Sequence, residues 1–132
     1  MILSEEIKRF IEATSQAVVA SADSGGNPHL ALGSDLRVLD GEHLAFENWF
    51  CPTTLHNVEQ NPRLAIAVLA QGSEIGYQFI GHVAHGFDVA MLSGYAPAAE
   101  APGEPQALTR LVVRIEEVLA FCSGIHTDQP IG

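Results

Sequence analysis

The clearest chemical signal in this sequence is a short segment in which two aromatic rings precede two hydroxyl side chains. Trp49-Phe50 end a predicted strand, and Thr53-Thr54 open a short predicted helix that stops before Pro62. The free backbone N–H groups of a helix start attract anions and suit a phosphate group. A phosphate cradle beside a flat apolar surface is what a flavin mononucleotide needs, so a nucleotide cofactor is the first hypothesis.

Each of these residues also has a purely structural interpretation. Thr53 and Thr54 are of a type that commonly caps helices. Trp49 and Phe50 equally suit a hydrophobic core or a dimer interface. Cys51 is either a thiol activated by the helix start or a small buried apolar residue. The segment therefore raises the question of a cofactor without deciding it.

Length and charge set the broad class of the protein. The chain has 132 residues, 47% of them hydrophobic, which predicts one globular domain over residues 1–132. Its net charge is −10, with six Lys and Arg against sixteen Asp and Glu, so neither nucleic acid nor an anionic membrane is an expected partner. No apolar run approaches the ~20 residues of a membrane span. The acidic N-terminal stretch does not read as an export signal, which predicts a cytoplasmic location.

The elements around the aromatic and hydroxyl segment are mostly strands. Ser4-Glu5-Glu6 predict the start of a helix over residues 4–14. Apolar patterning and turn residues predict strands over 16–22, 29–32, 36–39, 43–47, 63–70, 76–85 and 109–121. The second and third of these are alternatively one strand bent at Gly33-Ser34. A helix over 88–95 and a flexible, proline-rich loop over 96–106 precede the last strand.

Six or seven strands joined mainly by hairpins predict a small antiparallel barrel over residues 16–122, with helices at its rim. The run over 63–70 is apolar almost throughout, which predicts a strand buried on both faces. Alternation in the last strand places one set of apolar residues on a common face. That set is Leu111, Val113, Ile115, Leu119 and Phe121.

Histidines and cysteines do not form a metal-binding pattern. His82 and His85 are the closest pair, but three positions apart on a strand place them on opposite faces. A disulfide between Cys51 and Cys122 is not expected under reducing conditions. The sequence therefore predicts no metal site. It also contains neither a Gly-x-Ser-x-Gly nucleophile elbow nor a Gly-x-Gly-x-x-Gly dinucleotide loop.

Several short motifs occur in an order that is typical of one family. They are Pro52-Thr53-Thr54, Asn57-Val58, Asn61-Pro62-Arg63 and Gly76-Tyr77-Gln78 followed by Gly81. This order resembles the pyridoxamine 5'-phosphate oxidase-like split-barrel family, in particular its small single-domain FMN-binding members. The resemblance extends over about residues 3–84 and returns more weakly over 112–120.

The resemblance implies a homodimer of split barrels with two FMN sites at the interface. It places the flavin phosphate at Thr53 and Thr54, with the remaining site residues around the ribityl chain and the ring. The site residues that it implies are Gly33, Ser34, Asn48, Trp49, Phe50, Thr53, Thr54, Gln78 and His82.

The chain departs from the family pattern at the phosphate. Many members carry Lys or Arg where this chain has Thr53 or Thr54, and often a Lys where it has Leu32. Losing a charge-assisted phosphate contact lowers affinity by roughly tenfold to a hundredfold. The sequence therefore predicts weak FMN binding or a changed ligand, with Arg37 and Arg63 as candidate replacement bases.

The function that the resemblance implies is a dimeric FMN-binding flavoprotein in redox chemistry. It would be an FMN-dependent oxidoreductase or a small redox protein, with a small-molecule substrate or a redox partner. No residue is assigned as catalytic, and the chain has too few bases for pyridoxamine-phosphate oxidase activity to be assigned. The alternative is a non-enzymatic dimeric module that binds another small ligand, or haem through one histidine.

Overall fold

The computed structural model describes residues 2–14, 16–72, 74–84 and 109–131. Two helices and six strands are formed: α1 (Glu5–Thr14), β1 (Ala17–Ala22), β2 (Pro28–Val38), β3 (His43–Trp49), α2 (Pro52–Gln60), β4 (Arg63–Leu69), β5 (Gly76–Val83) and β6 (Thr109–Phe121). The strands close into a barrel in the order β1-β2-β3-β6-β5-β4, and every pairing is antiparallel. The predicted mainly β barrel is confirmed. His85 and the elements predicted over 88–95 and 96–106 lie outside the described residues.

The first helix begins where its capping residue allows. The backbone N–H of Ile7 donates to Ser4 Oγ at 3.3 Å, and acidic residues occupy the first turn, where the helix dipole favours them. Ile7 and Ile11 are buried and join the barrel core together with Leu3. The backbone N–H of Leu3 also donates to the carbonyl of Gly41 at 2.9 Å, which ties the N-terminus to the β2–β3 hairpin.

Strand β2 is one bent strand rather than two. It pairs with β1 as far as Gly33 and with β3 from Ser34 onwards. Gly33 and Leu36 are both buried, so the usual alternation of inward and outward residues is interrupted between them. Asp35 lies between them and has a positive φ of 56°, which is uncommon for a residue other than glycine, so the strand departs from regular geometry at this residue. The bend at Gly33-Ser34 is thus the point where the strand changes partners.

A bulge in β6 changes which residues of this strand point into the core. The pairing with β5 shifts by one residue and leaves Glu116 without a partner in the register. The backbone of Gly81 lies so close to β6 that a Cβ would collide with the backbone carbonyl of Arg114. This close approach explains why a glycine occupies the position. The prediction that Leu119 and Phe121 share the inward face is wrong, because the bulge moves the inward position to Val118.

Strand β4 is buried on one face only. Its inward residues Leu64, Ile66 and Val68 belong to the core. Its outward residues Ala65, Ala67 and Leu69 remain open, and Leu69 keeps 48% of its surface exposed. The prediction of burial on both faces is therefore wrong for the single chain.

Candidate functional site

The outward residues of β4 form part of an apolar groove on the outside of the barrel. The groove has a volume of about 540 Å³ and extends from β2 across β1 and β4 to β5, with Phe121 of β6 at its edge. Leu30 and Leu32 on β2 are exposed to 68% and 71%, which is unusual for leucines on a sheet. The groove can therefore take a flat apolar group or a protein surface.

One lateral row of side chains makes the floor of this groove. Leu32 pairs with Val18, Val18 with Ala67, and Ala67 with Gln78. Cross-strand partners on one face stand about 4.5–5.5 Å apart, so the row is continuous. Gln78 ends it with an amide whose Nε2 donates to Asp128 Oδ1 at 3.4 Å. The groove thus combines an apolar floor with an amide on one side.

The bend of β2 brings together four of the predicted site residues. Ser34 pairs with Asn48 of β3, and Gly33 lies directly over the indole of Trp49. Asn48 Nδ2 donates to Asp35 Oδ2 at 2.9 Å, so the strained residue is fixed by its neighbour across the sheet. Ser34 and Asn48 are half-buried, which leaves both polar side chains within reach of a ligand.

The two aromatic residues of this segment have different surroundings. Trp49 is 1% exposed, packs on Phe46 with ring centroids 4.9 Å apart, and donates its Nε1–H to the carbonyl of Cys51 at 2.9 Å. Its ring therefore belongs to the core and supports the bend from below. Phe50 is 48% exposed and is the ring that faces outward. Sequence alone could not separate the two, because the distinction depends on Gly33.

The start of α2 differs from the predicted hydroxyl cap. Cys51 is the N-cap residue, has no side-chain capping bond, and is followed by Pro52 at the first helical position, which suits a proline. Thr53 is exposed, whereas Thr54 is completely buried. Within the described residues the Thr54 hydroxyl has no hydrogen-bond partner. The prediction that the helix starts at its hydroxyl residues is wrong, because the proline begins it one residue earlier.

Further polar groups are buried beneath α2. Asn57 Nδ2 donates to Ser21 Oγ of β1 at 3.1 Å, and both residues are buried. His29 pairs with Ser21 across the sheet, and its Nδ1 is a second buried polar atom without a partner among the described residues. Leu55 and Val58 of α2 belong to the apolar core, so the helix buries polar and apolar side chains together. Sequence analysis did not find these buried polar groups, because nothing local to the sequence indicates that α2 covers this end of β1.

His82 lies apart from the groove, in a row of basic side chains. Arg63, His82, Arg114 and His43 are successive cross-strand partners over β4, β5, β6 and β3. Along β5, His82 is four residues from Gln78, or about 13 Å. The structure therefore separates two residues that were predicted to share one cavity wall. A second cavity of about 590 Å³ adjoins His82 and Arg114.

The row is neutralised by carboxylates. His82 Nδ1 lies 3.2 Å from Glu116 Oε1, and the Arg63 guanidinium lies 3.8 Å from the same oxygen. The hydrogen bond with His82 holds the pKa of Glu116 below its usual value, and the positive charges of Arg63 and Arg114 act in the same direction. Arg63 is thus engaged in an ion pair rather than held free for a ligand.

Arg110 pairs with the residue that precedes Asn48, and sequence analysis did not select this base. Its Nε and second guanidinium nitrogen bind the two carboxylate oxygens of Glu47 at 3.0 and 3.2 Å. Glu47 directly precedes Asn48 on β3. The sequence carries no signal for this pair, since β3 and β6 are neighbours in the sheet but distant along the chain. Arg37, the other predicted replacement base, pairs with Glu12 at 3.5 Å.

Within the part of the chain that the structure describes, no three His, Cys, Asp or Glu side chains gather closely enough to hold a metal ion. Among the same residues, no helix is long and apolar enough to cross a membrane. Cys51 and Cys122 are both free thiols.

A family model described as pyridoxamine 5'-phosphate oxidase matches residues 3–122 of this chain. The chain belongs to this family. The resemblance seen in the motifs is therefore confirmed, and the barrel, the bend and the groove are features of one pyridoxamine 5'-phosphate oxidase-like split barrel. No curated protein matches the chain in sequence.

Solved structures share the fold at low sequence identity. HupZ from Group A Streptococcus is 21% identical with a TM-score of 0.65, covering 96% of this chain and 98% of its own. An FMN-binding protein from Syntrophomonas wolfei is 16% identical with a TM-score of 0.64, covering 89% and 85%. A protein related to general stress protein 26 from Clostridium acetobutylicum is 12% identical with a TM-score of 0.60, covering 96% and 89%. At these identities the likeness concerns the fold alone.

Proposed function

We propose that this chain is an FMN-binding flavoprotein that acts in redox chemistry as a homodimer. Family membership and the shared fold with the FMN-binding protein from Syntrophomonas wolfei support a flavin. The observation that carries the proposal is the apolar groove with Gln78 on its wall. A flavin ring is a flat apolar body with polar groups along one edge, and it needs an apolar surface with a few well-placed hydrogen-bonding groups.

We propose a second copy of the chain because the single barrel leaves an apolar surface exposed. Leu30, Leu32 and Leu69 expose 68%, 71% and 48% of their surfaces on one face of the barrel. Contiguous exposed apolar patches mark interaction sites. Strand β4 is apolar on both faces in sequence, and a partner that covers Ala65 and Ala67 would bury the face that the single chain leaves open. A symmetric dimer lets the same patch serve both copies.

The chain's own residues have distinct parts in this proposal. The groove binds and shields the ring, and the Gln78 amide orients its polar edge. Ser34 and Asn48 would bind the hydroxyls of the ribityl chain, and Thr53 at the start of α2 would be the residue available to the phosphate. When bound, the flavin supplies the transfer of electrons or hydride. Trp49 supports the backbone below the site and is not proposed to touch the ligand.

We further propose that the protein is an oxidoreductase or a small redox protein, and that it acts on a small-molecule substrate or with a redox partner. We place the protein in the cytoplasm, where the two free cysteines suit reducing conditions. No part is assigned to His82, because it lies four residues along β5 from Gln78, or about 13 Å away.

An absorbance spectrum of the purified protein, before and after FMN is added and washed out, tests this proposal. A retained flavin band at about 450 nm supports it. Ala67→Phe fills the groove floor and should abolish retention, whereas Ser24→Phe in the exposed β1–β2 turn should not. A colourless protein that also fails to retain added FMN contradicts the proposal, as does a haem band at about 400 nm in place of the flavin band.

A further inference from the structure

We infer that the flavin site of this chain recognises the ring and the ribityl chain but not the phosphate dianion, so that riboflavin and FMN bind with similar affinity. This inference rests on the proposed flavin site and concerns its specificity. Three independent features of the described residues carry it: the pairing of the bases, the start of α2, and the carboxylates at the β2 bend.

Five of the six bases of this chain are already paired with carboxylates. All six Lys and Arg lie in the described part, and five of them have a carboxylate oxygen within 4 Å there. The pairs are Lys8–Glu5 at 3.4 Å, Arg37–Glu12 at 3.5 Å, Arg63–Glu116 at 3.8 Å, Arg110–Glu47 at 3.0 Å and Arg114–Glu42 at 3.3 Å. The sixth base, Arg9, is exposed on α1, which packs on β2 and β4, and has no carboxylate within 4 Å among the described residues. A phosphate would have to displace a carboxylate to gain a cation from any base other than Arg9.

The start of α2 is a poor anion cradle. Pro52 occupies its first helical position and has no N–H to donate. The Thr54 hydroxyl is buried on the core side of the helix, because Thr54 exposes none of its surface. Thr53 is then the one exposed hydroxyl in the first turn. Backbone N–H groups and a single hydroxyl offer no full positive charge to a dianion.

Two carboxylates flank the residues that are proposed to bind the ribityl chain. Asp35 follows Ser34 and accepts a hydrogen bond from the Asn48 amide, with no Lys, Arg or His nitrogen within 4 Å among the described residues. Glu47 precedes Asn48, and Arg110 neutralises it. The local charge at the bend is therefore negative, in a chain whose net charge is −10. Like charges within a Debye length of about 8 Å repel at physiological salt. A neutral ligand avoids this repulsion.

Titration of the full-length purified protein with riboflavin and with FMN, followed by calorimetry, tests the inference. We expect the two dissociation constants to agree within about threefold. An FMN affinity more than about tenfold higher than that of riboflavin, the effect of one charge-assisted contact, would overturn the inference while leaving the flavin site intact. If neither compound binds, the proposed flavin site is wrong and the inference falls with it.

A gain-of-function variant tests the physical cause. Thr53→Lys places a cation at the start of α2 and should raise FMN affinity by about tenfold while leaving riboflavin unchanged. Ser24→Lys, which adds the same charge in the exposed β1–β2 turn, is the matched control and should change neither affinity. An equal gain for both ligands, or no gain for FMN, would overturn the explanation.

Discussion

Gly33 lies so close to Trp49 that a Cβ at position 33 would stand 2.6 Å from Cζ3 of the indole. The same Cβ would stand 2.6 Å from Cε1 of Phe46. Strand β2 can therefore bend over this ring pair only because residue 33 has no side chain. Trp49 therefore determines how closely the backbone at Gly33 approaches the core. Because Ser34 follows Gly33, the packing of the core also determines where Ser34 lies in the candidate site.

Replacing Gly33 by Ala should overpack this contact. Both neighbours are rings held in the core, so we expect the free energy of unfolding to fall by about 1–3 kcal/mol in urea denaturation. Gly124→Ala is the control, because its Cβ would meet only Cys122 Sγ, at 3.9 Å. If Gly33→Ala unfolds at the same urea concentration as the parent protein, the close packing is wrong.

The buried hydroxyl of Thr54 should be a destabilising group in the protein without ligand. Thr54→Val keeps the branched shape and removes an unpartnered polar atom, so the free energy of unfolding should rise by about 1 kcal/mol. Thr53→Val, on the exposed side of the same turn, should change it by less than about 0.5 kcal/mol. A loss of stability in Thr54→Val would show instead that the hydroxyl is hydrogen-bonded.

The Glu116 cluster predicts a dependence of stability on acid. The pKa of Glu116 is lowered in the folded state, first by the hydrogen bond with His82 and then by Arg63 and Arg114. A lowered carboxyl pKa contributes stability that is complete above the pKa of the unfolded chain and is lost as pH falls through the folded pKa. The melting temperature of the parent protein should therefore exceed that of Glu116→Gln at about pH 7, and the difference should shrink towards about pH 3.

Glu117→Gln is the control for this pH series, since it removes an exposed carboxylate at the neighbouring position. Its difference from the parent protein should stay small across the same range. A Glu116→Gln difference that is constant with pH would mean that the cluster does not hold the ionised carboxylate in the folded state.

A charge placed in the groove should break the proposed dimer. Leu32 is 71% exposed in the single chain, so the barrel should tolerate Leu32→Asp. In a symmetric dimer the substitution would bury two carboxylates, one from each copy, in an apolar interface. We expect light scattering to show a monomer that retains the thermal stability of a folded barrel and has lost flavin. Leu39→Asp, at an exposed leucine beside the β2–β3 hairpin, should remain dimeric. A dimeric Leu32→Asp protein would place the interface elsewhere.

The fold was largely predictable because its signals are local. The cap at Ser4, the turn before Pro28 and the apolar runs of β4 and β6 each indicate an element without knowledge of its neighbours. The misassigned face of β6 has a different origin. The bulge at Glu116 lies opposite Gly81 of the neighbouring strand β5. Its position therefore depends on which strands pair in the sheet, and the sequence of β6 alone does not show this.

The candidate site was predictable only in outline for the same reason. Ser34 and Asn48 meet as expected, but the sequence could not show that Gly33 lets Trp49 lie beneath them. Gln78 and His82 fall on one face of one strand, yet only Gln78 borders the groove. The groove itself was missed, because it is assembled from residues of β1, β2 and β4 that each look like core in the sequence.

The proposed dimeric flavin site is tested most directly by sedimentation velocity of the protein with added flavin, followed at 280 nm for protein and at about 450 nm for flavin. We expect both signals to move together at twice the mass of one chain, with one flavin for each chain. Flavin that sediments with a single chain, or a dimer that sediments without it, would contradict a flavin site formed between two copies.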